Sequence, residues 1–121
     1  MKNPSTLRLL ILGAVTGLFL AGQATAAEVE FSVNDLLTPC REGLNASREN
    51  EQAAAVECQQ YLAGFRDATV MQGAANVCFP DGPNRIVEMH RDFVAWAVQS
   101  GSAVRDWPAA KGVSTAFTCH Y

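Results

Sequence analysis

Residues 49 to 72, ENEQAAAVECQQYLAGFRDATVMQ, contain no proline and are rich in Ala, Gln and Glu. The apolar residues of this stretch recur at three- and four-residue steps: Ala54, Cys58, Tyr61, Leu62, Phe65 and Ala68. This spacing places them on one face of an α-helix. The stretch therefore predicts the main amphipathic helix of the chain. Gly64 interrupts it at a cost of about 1 kcal/mol relative to Ala, which predicts that another backbone or ring packs closely there.

A shorter helix is predicted before the main one. Ser32 followed three residues later by Asp35 forms a variant capping box, and Gly43 is a suitable end. The apolar positions of this helix are Leu36, Leu37 and Cys40. Because proline disturbs a helix interior, Pro39 is expected to limit it to a turn or two.

A third helix is predicted from about Asn84 to Gln99, after the turn-forming cluster of residues 78 to 83. Its main apolar face is widened by three valines, which predicts that this helix is the most buried of the domain. The face consists of Ile86, Met89, His90, Phe93, Trp96 and Ala97, and the valines are Val87, Val94 and Val98.

The third helix is expected to end in a flexible Ser-Gly-Ser linker at residues 100 to 102. A last helix is predicted from Asp106, which is a good N-cap, with Trp107 and Pro108 in its first turn. No stretch alternates apolar and polar residues long enough for a strand. The sequence therefore predicts an all-α fold, a small four-helix bundle in a single domain over residues 27–121.

The N-terminus has the three parts of a secretory signal peptide. Lys2 and Arg8 precede an apolar run of 13 residues from 9 to 21, and Ala24 to Ala26 match a small-residue cleavage site. A transmembrane anchor is the alternative, but a helix of that length spans about 20 Å of a hydrocarbon core about 30 Å thick. We therefore expect residues 1–26 to be removed and the mature chain to begin at Ala27.

Removal of residues 1–26 takes away two of the nine basic residues and none of the twelve acids, so the mature net charge is −5. Nucleic acids and anionic lipids attract clusters of Lys and Arg, which this chain lacks. We therefore expect neither a nucleic-acid partner nor membrane association after cleavage of the signal peptide.

All four cysteines, Cys40, Cys58, Cys78 and Cys119, lie in the mature chain. Export to an oxidising compartment favours two disulfides, and four cysteines allow three pairings. We expect Cys40 to pair with Cys58 and Cys78 with Cys119, because these bonds would join the first helix to the second and the chain's end to the central loop. No two cysteines have the close spacing of a zinc site, and no metal or cofactor is expected.

No local motif of a catalytic site is present, neither G-x-S-x-G nor H-E-x-x-H. His90 lies on the apolar face of the third helix, where a packed side chain is the more common role than a catalytic base. Glu88 and Asp92 have the spacing of an acidic pair on one helix face, which could serve acid catalysis. Two arginines, Arg85 and Arg91, lie among them and favour a solvent-exposed charged face instead. We therefore expect a binding protein rather than an enzyme.

The loop between the last two helices is the candidate partner-binding site, because binding proteins commonly use loops on a rigid scaffold. Its residues are Ser100, Gly101, Ser102, Arg105, Asp106 and Trp107. Trp107 is the candidate anchor, since aromatic residues carry much of the energy at interfaces.

Three fragments in this order and spacing, CQQYLAGFRDA at 58–68, CFPDG at 78–82 and AFTC at 116–119, resemble the Rap/Tai family of immunity proteins. The resemblance covers about residues 36 to 119. It implies a small, exported, helical and disulfide-stabilised protein of a type VI secreting bacterium. Such proteins protect the cell from peptidoglycan-cleaving amidase effectors in the periplasm. The resemblance also implies inhibition by occlusion, often by a helical homodimer that places a loop in the amidase cleft.

The sequence thus predicts a periplasmic, type VI secretion immunity protein whose partner is a peptidoglycan amidase effector, with a possible homodimer. The alternative from another class is a small helical envelope stress chaperone or other periplasmic binding module, since it shares the size, export and disulfides. Acid-induced exposure of apolar surface would distinguish the chaperone. An enzyme is the third possibility.

Overall fold

The computed structural model describes residues 30–120 of the chain. Within them the regular elements are four α-helices and one short 3₁₀ helix, and strand pairing is limited to isolated bridges. The elements are α1 (Val33–Glu42), α2 (Glu49–Gln72), α3 (Arg85–Ser100), the 3₁₀ helix Gly101–Val104 and α4 (Ala109–Ala116). The predicted all-α bundle is confirmed. The predicted signal peptide lies outside the described residues.

Helix α1 begins with the predicted capping box. The Asp35 amide donates to Ser32 Oγ at 3.1 Å, and the Ser32 amide donates to Asp35 Oδ2 at 2.9 Å. The expectation that Pro39 limits this helix to a turn or two is wrong, because α1 runs for ten residues with Pro39 buried inside it. Pro39 cannot donate to the Asp35 carbonyl four residues back. Asp35 is exposed, so water can satisfy that carbonyl.

Helix α2 spans the predicted range and ends at Gly73, which has the left-handed conformation (φ 68°). Ala54, Cys58 and Leu62 are its buried residues. The prediction of close packing at Gly64 is wrong, since apart from the adjoining residues and backbone of α2 no atom of residues 30–120 lies within 4 Å of the Cβ position there. Ala68 is also exposed. The end of α2 extends past the core, so its apolar pattern is longer than the surface it buries.

Helix α3 contributes to the core. The prediction that it is the most buried helix is wrong, because five of its 16 residues are buried whereas five of the ten residues of α1 are. Its buried residues are Met89, His90, Phe93, Val94 and Ala97. The predicted widening of this face is correct for Val94 only, because Val87 and Val98 are 55% and 48% exposed. These two valines mark the edge at which the neighbouring helices stop covering α3.

Two disulfides fix the bundle with the expected pairing. Cys40–Cys58 joins α1 to α2, and both residues are completely buried. Cys78–Cys119 joins the segment after α2 to the chain end. Two backbone hydrogen bonds flank this second bond, from the Cys78 amide to the Phe117 carbonyl (2.7 Å) and from the Cys119 amide to the Asn76 carbonyl (3.0 Å).

The core lies where all four helices meet. It contains Val33, Leu36, Leu37, Cys40, Cys58, Leu62, Met89, Phe93, Val94, Ala97, Val104, Ala109, Val113 and Phe117. Of the helices within residues 30–120, none is both long enough and apolar enough to cross a membrane.

Candidate partner-binding surface

The segment of residues 100–107, hereafter the 100–107 segment, has a defined conformation. The expectation of a flexible linker is wrong, because a 3₁₀ helix follows α3 directly and Val104 is buried in the core. Gly101 has a φ of 69°, a conformation that disfavours residues with a side chain. The buried Val104 thus helps to order a stretch whose Gly and Ser content predicts flexibility.

The 100–107 segment is also hydrogen-bonded to the beginning of the described chain. The Val33 amide donates to the Trp107 carbonyl at 2.8 Å, and the Asn34 amide donates to the Arg105 carbonyl at 3.0 Å. These two amides belong to the first turn of α1, whose N–H groups have no acceptor within their own helix. The segment therefore completes the N-terminus of α1, and α1 in turn holds the segment.

This pairing displaces the start of the last helix. The prediction that Asp106 is the N-cap of the last helix is wrong. Helix α4 begins at Ala109, whose amide donates to the Phe31 carbonyl at 2.9 Å. Pro108 forms a bridge with Ser32 and has an extended conformation (φ −51°, ψ 136°). Arg105 is still in the helical conformation (φ −61°, ψ −35°), and residues 105 to 107 form a turn that leads to Pro108. The hydrogen-bond partners of this turn lie in a distant part of the sequence, which local capping preferences do not include.

Trp107 is half-buried and anchors the segment from within. Its ring centroid lies 6.4 Å from that of Trp96. The Nζ atom of Lys111, a residue of α4, lies 4.1 Å from the Trp107 ring centroid. A cation over an indole face is a favourable contact. Trp107 therefore uses much of its surface inside the domain.

The six predicted binding residues all lie in the 100–107 segment, and the surface that they form, hereafter the ridge, is unequally exposed. Ser102 and Asp106 are exposed, whereas the other four are partly buried. The Arg105 side chain folds back, with Nε donating to the Gly101 carbonyl at 3.3 Å. Ser102 and Asp106 are consequently the predicted residues best placed to reach a partner.

His90 is a packed side chain, as predicted. It is 3% exposed, and Nε2 lies 2.7 Å from the Cys40 carbonyl oxygen while Nδ1 lies 3.2 Å from Gln59 Nε2. Both ring nitrogens are therefore occupied by structural hydrogen bonds. His90 is also close to the Cys40 and Cys58 sulfurs, but these are bonded to each other and present no thiolate to a metal.

A cleft of about 350 Å³ lies beside His90, between α3 and the loop that joins α1 to α2. No local sequence pattern indicates this cleft, because its walls come from three separate parts of the chain. Its lining residues are Gly43, Leu44, Asn45, Gln59, Val87, His90 and Arg91. The signal that could have indicated it is the position of Val87 at the edge of the apolar face of α3.

Comparison with known protein families matches residues 32–121 to the Rap1a immunity proteins. The chain belongs to the Rap1a immunity protein family. The Rap1a match begins at Ser32, the N-cap of α1, and includes all four helices and both disulfides. The family resemblance of the three cysteine-containing fragments is thereby confirmed. Comparisons with curated proteins and with solved structures found no match.

In this Rap1a family member, the match includes both the 100–107 segment and the residues of α1 that hold it. The cleft beside His90 also lies inside the matched range. The Rap1a domain therefore carries two candidate surfaces. They differ in kind: one is a partly exposed segment and the other is a concave site.

Proposed function

We propose that the chain is an exported immunity protein that binds a type VI effector in the periplasm and blocks its active site. The proposed effector is a peptidoglycan amidase, as the Rap/Tai resemblance implies. The observation that carries the proposal is the Rap1a family match across every helix of the described chain. The chain acts by binding, and no catalytic step is assigned to it.

The 100–107 segment is the proposed contact surface. A loop that is ordered before binding loses less conformational entropy on association than a flexible one. Two backbone hydrogen bonds, to the amides of Val33 and Asn34, and the buried Val104 provide this order. Ser102 and Asp106 are exposed on the ridge and available to an effector.

Electrostatic attraction supports the choice of this ridge. The mature chain has a predicted net charge of −5, which accelerates encounter with a basic partner. Asp106 is exposed, and it forms no ion pair among residues 30–120. Its carboxylate is therefore free to face a cation of the effector.

Co-expression tests the proposal. A peptidoglycan amidase effector is directed to the periplasm of a host cell with or without the full chain. The expected result is lysis without the chain, growth with it, and a complex that elutes as one species on gel filtration. Continued lysis together with separate elution would overturn the proposed function.

A charge reversal tests the contact surface. Asp106→Lys should weaken effector binding by about tenfold or more, the usual effect of placing like charges at an interface. Glu57→Lys is the matched control, since Glu57 is an exposed acid in the middle of α2 without an ion pair in the described chain. Equal affinities of the two variants would show that the 100–107 segment does not contact the effector.

We also propose that the chain forms a homodimer, as the family resemblance implies. The end of α2 supports this because Met71 is 88% exposed and Val70 beside it is 59% exposed. Adjacent exposed apolar residues favour an interface. Met71→Glu should convert a dimer to a monomer in sedimentation equilibrium, and an unchanged mass would exclude this surface.

A further inference from the structure

The cleft beside His90 is separate from the 100–107 segment. Arg91 is the cleft residue of α3 nearest to the segment, and it lies nine positions before Ser100. At 1.5 Å per residue this separation is about 13 Å. No residue of the 100–107 segment lines the cleft.

A chain of hydrogen bonds fixes the orientation of the Gln59 amide at the cleft. The Cys40 carbonyl can only accept, so His90 Nε2, 2.7 Å away, is the donor. An amide nitrogen can only donate, so His90 Nδ1 accepts from Gln59 Nε2 at 3.2 Å. The amide of Gln59 is thereby oriented with Nε2 toward His90, and Oε1 is left without a hydrogen bond in the described structure.

Arg91 provides a positive charge at the same cleft. It is exposed, and no carboxylate of residues 30–120 forms an ion pair with it. Glu88 lies one turn before Arg91 on α3 but does not pair with it. A guanidinium group in this state has five N–H donors available to a planar anion.

Apolar side chains complete the cleft. Leu44 and Val87 line it and are 41% and 55% exposed. The cleft therefore combines a cation, a free carbonyl acceptor and an apolar wall. A volume of about 350 Å³ is at the small end of ligand-binding pockets, which range from about 300 to 1,000 Å³.

We propose that this cleft binds the free C-terminal end of a short peptide. The terminal carboxylate would pair with the Arg91 guanidinium, a backbone N–H of the peptide would donate to Gln59 Oε1, and a small apolar side chain would contact Leu44 and Val87. A simple anion such as phosphate would use Arg91 but leave the acceptor and the apolar wall unused. The proposal is a binding site without covalent chemistry, and it does not depend on effector binding.

The experiment is a titration of the ¹⁵N-labelled mature chain with the dipeptide alanyl-alanine, followed by NMR. The expected result is saturable shifts of the amide signals of Leu44, Asn45 and Arg91. The C-terminal amide of the same dipeptide should bind more weakly by about tenfold or more, because the charge-assisted pair is lost. Equal binding of both dipeptides, or no saturable shift up to the solubility limit, would overturn the proposal.

A pair of arginine variants tests the proposed role of Arg91 in binding the dipeptide. Arg91→Gln should weaken dipeptide binding by about tenfold while preserving the fold, since Arg91 is exposed. Arg85→Gln is the matched control, because Arg85 is an exposed arginine of α3 that does not line the cleft. Unchanged affinity in Arg91→Gln, with a spectrum that shows a folded chain, would exclude the site.

Discussion

Asp35 has a fully exposed carboxylate that accepts its hydrogen bonds from a single residue, Ser32. Two hydrogen bonds to this carboxylate lower the pKa of Asp35 from the ordinary value of 3.8. The larger effect comes from the Ser32 backbone N–H and the smaller one from the Ser32 hydroxyl. A carboxyl whose pKa is lower in the folded state stabilises the fold above its unfolded pKa. That contribution is lost as the pH falls through the folded pKa.

We therefore predict that Asp35→Asn destabilises the chain at neutral pH and that the difference from the parent chain shrinks below about pH 4. Urea unfolding at a series of pH values measures this difference. Asp92→Asn is the control, because Asp92 is exposed and its carboxylate makes no hydrogen bond within residues 30–120. A difference that persists at low pH would show that Asp35 does not act through its charge.

Two glycines should respond oppositely to the same substitution. A Cβ on Gly43 would collide with the backbone of Ala55, whereas a Cβ on Gly64 meets no atom of the described chain within 4 Å beyond the adjoining residues and backbone of α2. Gly43→Ala should cost about 1 to 3 kcal/mol by overpacking. Gly64→Ala should stabilise by about 0.5 to 1 kcal/mol, because Ala is the better helix former. Thermal unfolding of both variants measures this, and equal signs would contradict the described packing.

At the scale of the helices, Phe93 shows how much α3 contributes to the core. It is completely buried and contacts the Trp96 ring at 6.1 Å between centroids. We predict that Phe93→Ala costs about 3 to 5 kcal/mol in the free energy of unfolding. Val98→Ala on the same helix should change it by less than about 0.5 kcal/mol, since Val98 is 48% exposed. Similar losses in chemical denaturation would mean that the faces of α3 are wrongly assigned.

The helices were predictable where local chemistry determines them. Ser32 and Asp35 predict the start of α1, and the apolar spacing predicts α2 and α3. The start of α4 was not predictable, because hydrogen bonds between residues 105–109 and residues 31–34 override the capping preference of Asp106. Local propensity does not include partners that are distant in the sequence.

The candidate surfaces were predictable to different degrees. The position of the 100–107 segment follows from its place between two helices, but its order depends on the burial of Val104, which the Gly and Ser composition conceals. The cleft depends on side chains from α2, α3 and the loop after α1. Only the packing of those elements brings Gln59 and Arg91 to one cavity, so the sequence alone does not indicate it.

For the whole molecule, the two disulfides should differ in their reaction with thiols. Cys40 and Cys58 are completely buried, whereas Cys78 is exposed and Cys119 is half-buried. Thiol–disulfide exchange requires access of the attacking thiolate to a sulfur atom. We predict that a low concentration of dithiothreitol opens Cys78–Cys119 first, at a cost of roughly 4 kcal/mol in loop-closure free energy. Alkylation followed by peptide mass spectrometry identifies the thiols, and earlier labelling of Cys40 would contradict the prediction.

The exported chain should also differ in mass from the encoded one. We predict the loss of residues 1–26 and of four thiol hydrogens, because a signal peptidase removes the leader and both disulfides form in the oxidising compartment. Intact-mass spectrometry of the periplasmic fraction measures both changes. A chain that keeps its N-terminus or contains free thiols would contradict the predicted export.

The pairing of residues 31–34 with residues 105–109 has a consequence for the order in which the molecule is completed. A chain is made, and crosses a membrane, with its N-terminus first. Cys40 and Cys58 can meet early, but the first turn of α1 obtains its acceptors only when the Arg105 and Trp107 carbonyls arrive. The proposed effector-binding ridge is therefore among the last parts of the chain to fold. A chain terminated before Trp107 would release no partly active inhibitor, because the same missing residues would leave both the ridge and the first turn of α1 incomplete.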